Sequence, residues 1–446
     1  MAQHDSASST PYDLLGVGFG PSNLALAIAL REQKARLGRP LRSLFIDRQA
    51  DYRWHGNTLV TQSELQISFL KDLVTLRNPT SPFSFVNYLH SQGRLVDFTN
   101  LGTFYPCRLE FNDYLRWVAE HFADQSLYGE DVVRVEPATP EADGTIRQLE
   151  VVARDAEGSE RRYRTRALAL STGGTPRIPQ VFRALRQCPQ VFHHAQYLER
   201  VAALPCAQGQ PMRIAVVGGG QSAAEAFIDL NDSYPNVKVD MVLRGAVLKP
   251  ADDSPFVNEI FAPEYTDLVF NQPPEERERL INEYHNTNYS VVDLDLIERI
   301  YGILYRQKVA KSQRHGFLCR RSIEAAHVVD QKVELRLHDV ATGAVENHRY
   351  DAVILATGYE RTSHRQLLEP LAPLLQTFEV DRAYRLQTDQ RLQAPIFLQG
   401  FCQHSHGLSD TLLSVLPARA GEIAEALHAT LESIVPHLPQ AALAEV

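Results

Sequence analysis

Two glycine-rich turns carry the first chemistry legible in the chain. Gly18-Phe19-Gly20-Pro21-Ser22-Asn23 follows an apolar strand-like stretch at 12–17 and precedes a run predicted as a helix from Ser22 to Arg36. Strand, glycine turn and helix in that order make a pyrophosphate site. Gly18 permits the tight turn and Gly20 lets backbone approach the phosphates. The helix N-terminus adds free N–H groups and a positive dipole end. Asn23 stands where the pattern usually has its third glycine. Residues 43–47 read as the next parallel strand, and Asp47 at its end can accept hydrogen bonds from a ribose. Gly18, Gly20, Pro21, Asn23 and Asp47 are therefore expected at a first dinucleotide site.

A second unit repeats the plan. A strand at 213–217 runs into Gly218-Gly219-Gly220-Gln221-Ser222-Ala223, and a helix opens at 224–230. The following strand, 238–243, ends in Arg244 instead of an acid. A cation there suits the 2′-phosphate of NADPH, which a carboxylate would repel. Two such units imply two dinucleotides. The one opening the chain suggests a tightly held FAD, and the second an exchangeable nicotinamide.

Those turns need sheets to hold them. A strand at 350–355 runs into Ala356-Thr357-Gly358-Tyr359, and one at 167–170 into Ser171-Thr172-Gly173-Gly174. Each reads as a crossing between domains, so the second unit is inserted in the first. The expected fold is α/β, with two Rossmann-like dinucleotide-binding domains and a small substrate-binding domain. The flavin domain is drawn at 11–175 and 359–446, the nicotinamide domain at 205–250 and 310–358, and the substrate domain at 251–309. A chain of 446 residues is too long for one ordinary core.

Composition excludes several classes. Net charge is −9, from 45 basic and 54 acidic residues, and no Lys/Arg run stands out, so nucleic acid is not expected as a partner. The five cysteines form no C-x-x-C pair, which argues against a disulfide framework and a thiolate zinc site. Free thiols in a reducing cytosol fit better, and the expected location is cytoplasmic. Residues 14–30 are uncharged, yet Gly16, Gly18, Gly20 and Pro21 would interrupt a lipid-exposed helix, so no membrane insertion is expected. His404 and His406 lack further ligands, and no metal site is expected.

Several longer segments extend the pattern: GVGFGPSNLALAIAL, DYRWHGNTLVTQSELQISFLKDLVTLRNPTSPFSFVNYL, VVGGGQSAAE, DDSPFVNEIFAPE, NTNYSVVD, DAVILATGYE and HGLSDTLLS. With them the chain resembles the N-hydroxylating flavoprotein monooxygenases of siderophore biosynthesis, nearest to bacterial L-ornithine N5-monooxygenases. The resemblance covers nearly the whole chain. The family's D-x3-L/F-ATGY-x4-H/C-P signature runs from Asp351 to His364, with Arg365 in place of the final proline, a departure expected to affect only a loop.

The resemblance implies FAD and NADPH as cofactors, and L-ornithine and O2 as substrates. In such enzymes NADPH reduces FAD, reduced flavin and O2 form a C4a-hydroperoxide, and a neutral side-chain amine takes the distal oxygen. The product is N5-hydroxyornithine. By the same resemblance Lys71 meets the substrate carboxylate, Asn258 binds the amino acid, and Asn288 lies near substrate and nicotinamide ribose. Taken alone, Lys71 reads as paired to Asp72 or solvated, and both asparagines as turn formers. Gln66, Trp54 and His55 fall near the flavin; Gly218, Gly220, Gln221, Ser222 and Arg244 on the NADPH side; Thr357, Gly358 and Tyr359 at the crossing. Ser409 falls where flavin and substrate meet, so that Asn288, Gln66 and Ser409 are the expected catalytic group.

Rival readings stay open. L-lysine differs from ornithine by one methylene, which packing alone separates by only ~1–3 kcal/mol. A diamine such as putrescine would leave Lys71 without a carboxylate. A pyridine-nucleotide disulfide reductase shares the two-unit layout but needs a redox cysteine pair. A non-catalytic flavin-binding module would have no use for Arg244 or the 251–309 segment. A homo-oligomer is compatible with the sequence.

Overall fold

A computed structural model describes residues 10–33 and 41–434. The first turn sits where strand β1 (Leu14–Val17) ends and helix α1 (Pro21–Glu32) begins. Gly20 is the residue before the helix and Pro21 its first. Proline suits that position, because its missing N–H has no helical partner anyway and its φ is already helical. The expected end of α1 at Arg36 lies outside the described residues. Strand β2 (Ser43–Asp47) pairs in parallel with β1, with Val17 opposite Ile46. Every residue of both strands is buried, as a parallel sheet covered on both faces requires.

The first sheet has five parallel strands in the order 396–398, 168–170, β1, β2, 126–128. Its members come from both ends of the chain. Leu416–Ile434, the last described helix, packs on α1. The second sheet contains β3 (Met212–Val217), β4 (Val237–Val242), β5 (Gly316–Leu318) and β6 (Ala352–Leu355), with Val191–His193 at its far edge. Its order is β5, β4, β3, β6, 191–193, and all neighbours are parallel. Helix α2 (Gln221–Ser233) follows β3 through the second glycine turn. These are two Rossmann-type units, the second placed between strands of the first.

Three features depart from the sequence reading. A nicotinamide domain begun at residue 205 leaves out Val191–His193, which nevertheless pairs with β6. Two antiparallel three-stranded sheets, built from residues 131–165 and 321–350, were not anticipated. The 251–309 segment is also divided in its packing. Helix α3 (Leu294–Val309) packs on α2, with Val292, Leu296 and Ile300 in the same core as Val216 and Phe227. The earlier helices Pro263–Phe270 and Pro274–Tyr284 pack instead on residues 403–406, beyond the last strand of the first sheet.

Arg365 lies in a short helix, Ser363–Leu367, not in a loop, and its N–H donates to Thr362 O at 3.0 Å. A proline there would remove that bond. No helix among the described residues is long and apolar enough to cross a membrane.

Candidate active site

A cleft of about 1140 Å³ opens beside the first turn. Gly18, Gly20, Pro21, Asp47, Trp54, His55 and Tyr359 all line it. Gly18 has a φ of 80°, and a Cβ there would stand 2.5 Å from Ser171 O. Only glycine suits such a turn. At Gly20 a Cβ would meet nothing within 4 Å, so the backbone there faces open space. Asp47 is buried, and its two oxygens accept from Phe19 N–H (2.8 Å) and Gln49 N–H (2.9 Å). An ionised carboxylate has about four acceptor sites, so capacity remains for a ribose.

Asn23, expected as a cofactor contact, acts on the turn itself. It is 0% exposed, donates to Gly18 O at 2.6 Å, and accepts from Gln399 Nε2 at 2.7 Å. Its amide replaces the close packing a third glycine would give. Thr357, Gly358 and Ser409 do not face the cleft. Ser409 is buried, while its neighbours Asp410 and Thr411 line the wall.

Further along, Trp54 packs on Phe111 with ring centroids 5.7 Å apart, and its backbone N–H donates to Asn112 Oδ1 (2.9 Å). His55 has a left-handed φ of 53° and lies 6.3 Å from the Tyr359 ring. Burial, reinforced by Arg108 and Arg361, lowers its pKa to about 4, so the ring is neutral at pH 7.

A second group of side chains converges between the two sheets. Lys71 Nζ lies 3.5 Å from Asn258 Oδ1, joining residues 187 apart in the chain. Asn258 Nδ2 is spent on Asp253 O at 2.7 Å, which leaves Oδ1 facing the lysine. Lys71 is not paired to Asp72. That carboxylate accepts from Val74, Thr75 and Phe85 N–H groups. Burial lowers the Lys71 pKa, and a nearby anion would oppose that shift.

Gln66 and Gln221 meet on one carboxylate that the sequence reading did not single out. Gln66 Nε2 donates to Asp293 Oδ1 and Gln221 Nε2 to Asp293 Oδ2, both at 2.7 Å. Asp293 N–H returns a bond to Gln221 Oε1 at 2.9 Å. Burial raises the Asp293 pKa, and the two amide donors oppose that shift. In sequence Asp293 reads as a helix cap, since it precedes α3, but its side chain makes no cap bond. Gln221 also donates to Glu225 (3.0 Å), whose buried carboxylate pairs with Arg108 at 2.8 Å.

The Asn288 segment touches both halves. Tyr289 hydroxyl bonds Thr411 of the cleft wall. A Cβ on Gly220 would lie 3.6 Å from Ser290 Cα. The Asn288 amide has no hydrogen-bond partner among the described residues. On the second turn Gly218 has a φ of 152°, and a Cβ there would stand 2.4 Å from Ala356 O. Ser222 lies in the first turn of α2, and Arg244 is exposed just past β4.

Arg419 and Asp410, both missed in sequence, stand together in the cleft wall. Arg419, 1% exposed, donates to Asp410 Oδ1 at 2.9 Å and to Ser22 Oγ at 2.8 Å. The 397 residues between Arg419 and Ser22 leave no sequence signal for that bond. His404 and His406 have separate surroundings: His404 is 3.7 Å from Glu379, and His406 stacks on Tyr384 at 4.0 Å. Among the described residues no three His, Cys, Asp or Glu side chains group as metal ligands.

Residues 10–361 match the family model described as L-lysine 6-monooxygenase/L-ornithine 5-monooxygenase. The chain belongs to this family. An L-ornithine N(5)-monooxygenase of Pseudomonas aeruginosa is 64% identical over 427 residues, 96% of each chain. The solved ornithine hydroxylase (PvdA) from Pseudomonas aeruginosa superposes with a TM-score of 0.91 at 64% identity, covering 95% of this chain and 100% of that one. The Kutzneria sp. 744 ornithine N-hydroxylase, solved as KtzI-FADred-NADP+-L-orn, gives 0.88 at 34% identity, covering 94% and 99%. Family membership accounts for the two Rossmann-type units.

Proposed function

We propose that the chain is an FAD- and NADPH-dependent L-ornithine N5-monooxygenase, using O2 to make N5-hydroxyornithine for hydroxamate siderophores. The observation that carries the substrate assignment is the Lys71–Asn258 pair at 3.5 Å. It offers a half-buried cation beside an amide oxygen, the complement of an α-carboxylate next to an α-ammonium. The 64% identical ornithine monooxygenase supports ornithine as the amino acid.

The cleft fits FAD. Gly20 leaves space for a pyrophosphate, and Asp47 lies one strand over for a ribose. The second turn fits NADPH, with Arg244 free to meet a 2′-phosphate. When bound, FAD reduced by NADPH supplies the oxygen chemistry. The protein's own part is to bind, orient and keep water out. Lys71 and Asn258 fix the amino acid end. The Gln66–Asp293–Gln221 bonds hold flavin-side and nicotinamide-side segments in register. Asn288 offers an amide that donates and accepts at the junction. The reacting amine must arrive without its proton, from a pKa near ~10.4 in water. Among the described residues no carboxylate bonds Lys71, Asn258 or Asn288, so that group carries no anion to hold the reacting amine protonated.

Five free cysteines suit a cytoplasmic location. A homo-oligomer is compatible with this scheme. The test is NADPH oxidation with ornithine, lysine or putrescine, with hydroxylamine product and hydrogen peroxide both quantified. Ornithine is expected to give product with little peroxide. Equal coupling with lysine, or product from putrescine, overturns the assignment.

A further inference from the structure

Two arginines stand side by side at the C-terminal ends of β4 and β5. The strands pair in parallel with Val242 opposite Leu318. Two residues further along each chain are Arg244 and Arg320. The ladder reaches that far: Leu243 N–H donates to Leu318 O, and Arg320 N–H to Gly245 O, both at 3.0 Å. Adjacent strands lie about 4.8 Å apart, so the two side chains start from neighbouring backbone. Both residues are exposed. Neither guanidinium has a hydrogen-bond or ion-pair partner among the described residues.

Other arginines in or flanking these strands are spoken for. Arg213 pairs with Asp240 at 2.6 Å, Arg321 pairs with Asp339, and Arg314 donates to Val237 O at 2.9 Å. Arg320 takes a left-handed φ of 56°, and the next residue enters the strand that carries the Arg321–Asp339 pair. Two adjacent like charges with no acid between them repel, unless an anion joins them.

We infer that Arg320 is a second specificity-determining cation for the 2′-phosphate of NADPH, shared with Arg244. The inference rests on reading the second unit as the NADPH site. In a Rossmann unit the adenosine ribose lies at the end of the second strand, here β4, and β5 is the next strand outward. A phosphate monoester carries about −1.5 to −2 charges at pH 7. One guanidinium binds two of its oxygens and balances one charge. Arg320, from the neighbouring strand, supplies the second charge and reaches the remaining oxygen. Two shared cations also explain how exposed side chains select one nicotinamide cofactor in salt: each alone is weak, and both act on one dianion.

The test is calorimetric binding of 2′,5′-ADP and 5′-AMP to the FAD-loaded protein and to its Arg320→Gln variant, which keeps part of the aliphatic stem and loses the charge. Arg320→Gln is expected to weaken 2′,5′-ADP about tenfold and to leave 5′-AMP unchanged. Arg320→Lys should retain most of the affinity. If Arg320→Gln binds 2′,5′-ADP as the parent does while Arg244→Gln loses it, the role of Arg320 is overturned alone. Equal loss of both probes in Arg320→Gln also overturns it. If neither variant discriminates the probes, the NADPH reading of the second unit falls as well.

Discussion

The two glycine turns share a backbone plan and differ in everything around it. At the first, Asp47 is buried, with both oxygens engaged by backbone N–H groups. The helix start is held by Ser22 through the buried Arg419–Asp410 ion pair. At the second, the strand ends carry exposed arginines with no partner among the described residues. Its helix start is tied through Gln221 to Asp293 and Glu225. The first site is continuous with the core, as suits a resident cofactor. The second lies open at its ribose end, as suits one that comes and goes. Substitutions at the first should therefore act through folding and flavin retention, and those at the second through selective affinity.

The largest effect is expected at Arg419. Arg419→Ala leaves Asp410 buried without its cation and Ser22 without its donor. Breaking a buried pair in this way costs about 3–5 kcal/mol. Denaturant unfolding of the holoprotein should shift accordingly, and purified protein should carry less flavin. Full stability with full flavin content would show that the first site does not depend on this pair.

Next comes Lys71, between the two sites. Lys71→Ala should weaken apparent ornithine affinity by about 1.5–3 kcal/mol, the range for hydrogen bonds to charged groups. FAD content and the rate of flavin reduction by NADPH should hold. Unchanged ornithine saturation removes Lys71 from the substrate site.

A smaller effect, about tenfold, is expected for Arg244→Ala on NADPH affinity, since an exposed charge is screened by solvent and salt. NADH should be unaffected and flavin content unchanged. Equal losses for both nicotinamides would mean that Arg244 contacts a part they share.

Glycine spacing and strand-end charge made both turns legible, because those constraints are local. Asp47 and Arg244 could be named from a few flanking residues. The Lys71–Asn258 approach was legible only through resemblance, since nothing local joins residues 187 apart. Asp293 was hidden by its own position: an acid before a helix reads as a cap, yet two glutamines from different segments draw it away. Arg419 was invisible, because a basic residue in an amphipathic helix reads as surface until the fold buries it. Asn23 was read as a ligand contact because it occupies a glycine position, whereas its amide bonds the turn. The antiparallel sheets at 131–165 and 321–350 carry no dinucleotide fingerprint to mark them, so in sequence they read as connections between parallel strands.

Asn288 separates the two halves most finely. Tyr289 on one side bonds Thr411 of the first cleft, and Ser290 two residues on packs against Gly220 of the second turn. The Asn288 amide immediately precedes these contacts in the chain and bonds neither unit among the described residues. If it only formed a turn, Asn288→Ala would change little, because the fixed contacts are made by its neighbours. If it holds amino acid and nicotinamide ribose together, its loss costs one neutral hydrogen bond to each, about 1 kcal/mol apiece. That is too little to empty either site, but enough to loosen the register that keeps water from the reacting centre. Asn288→Ala should therefore keep its flavin, its stability and measurable NADPH oxidation, while output moves from hydroxyornithine toward hydrogen peroxide. One assay following NADPH, peroxide and hydroxylamine together decides the matter. A folded variant that remains fully coupled places Asn288 outside the reaction and leaves Asp293 as the link between the two sites.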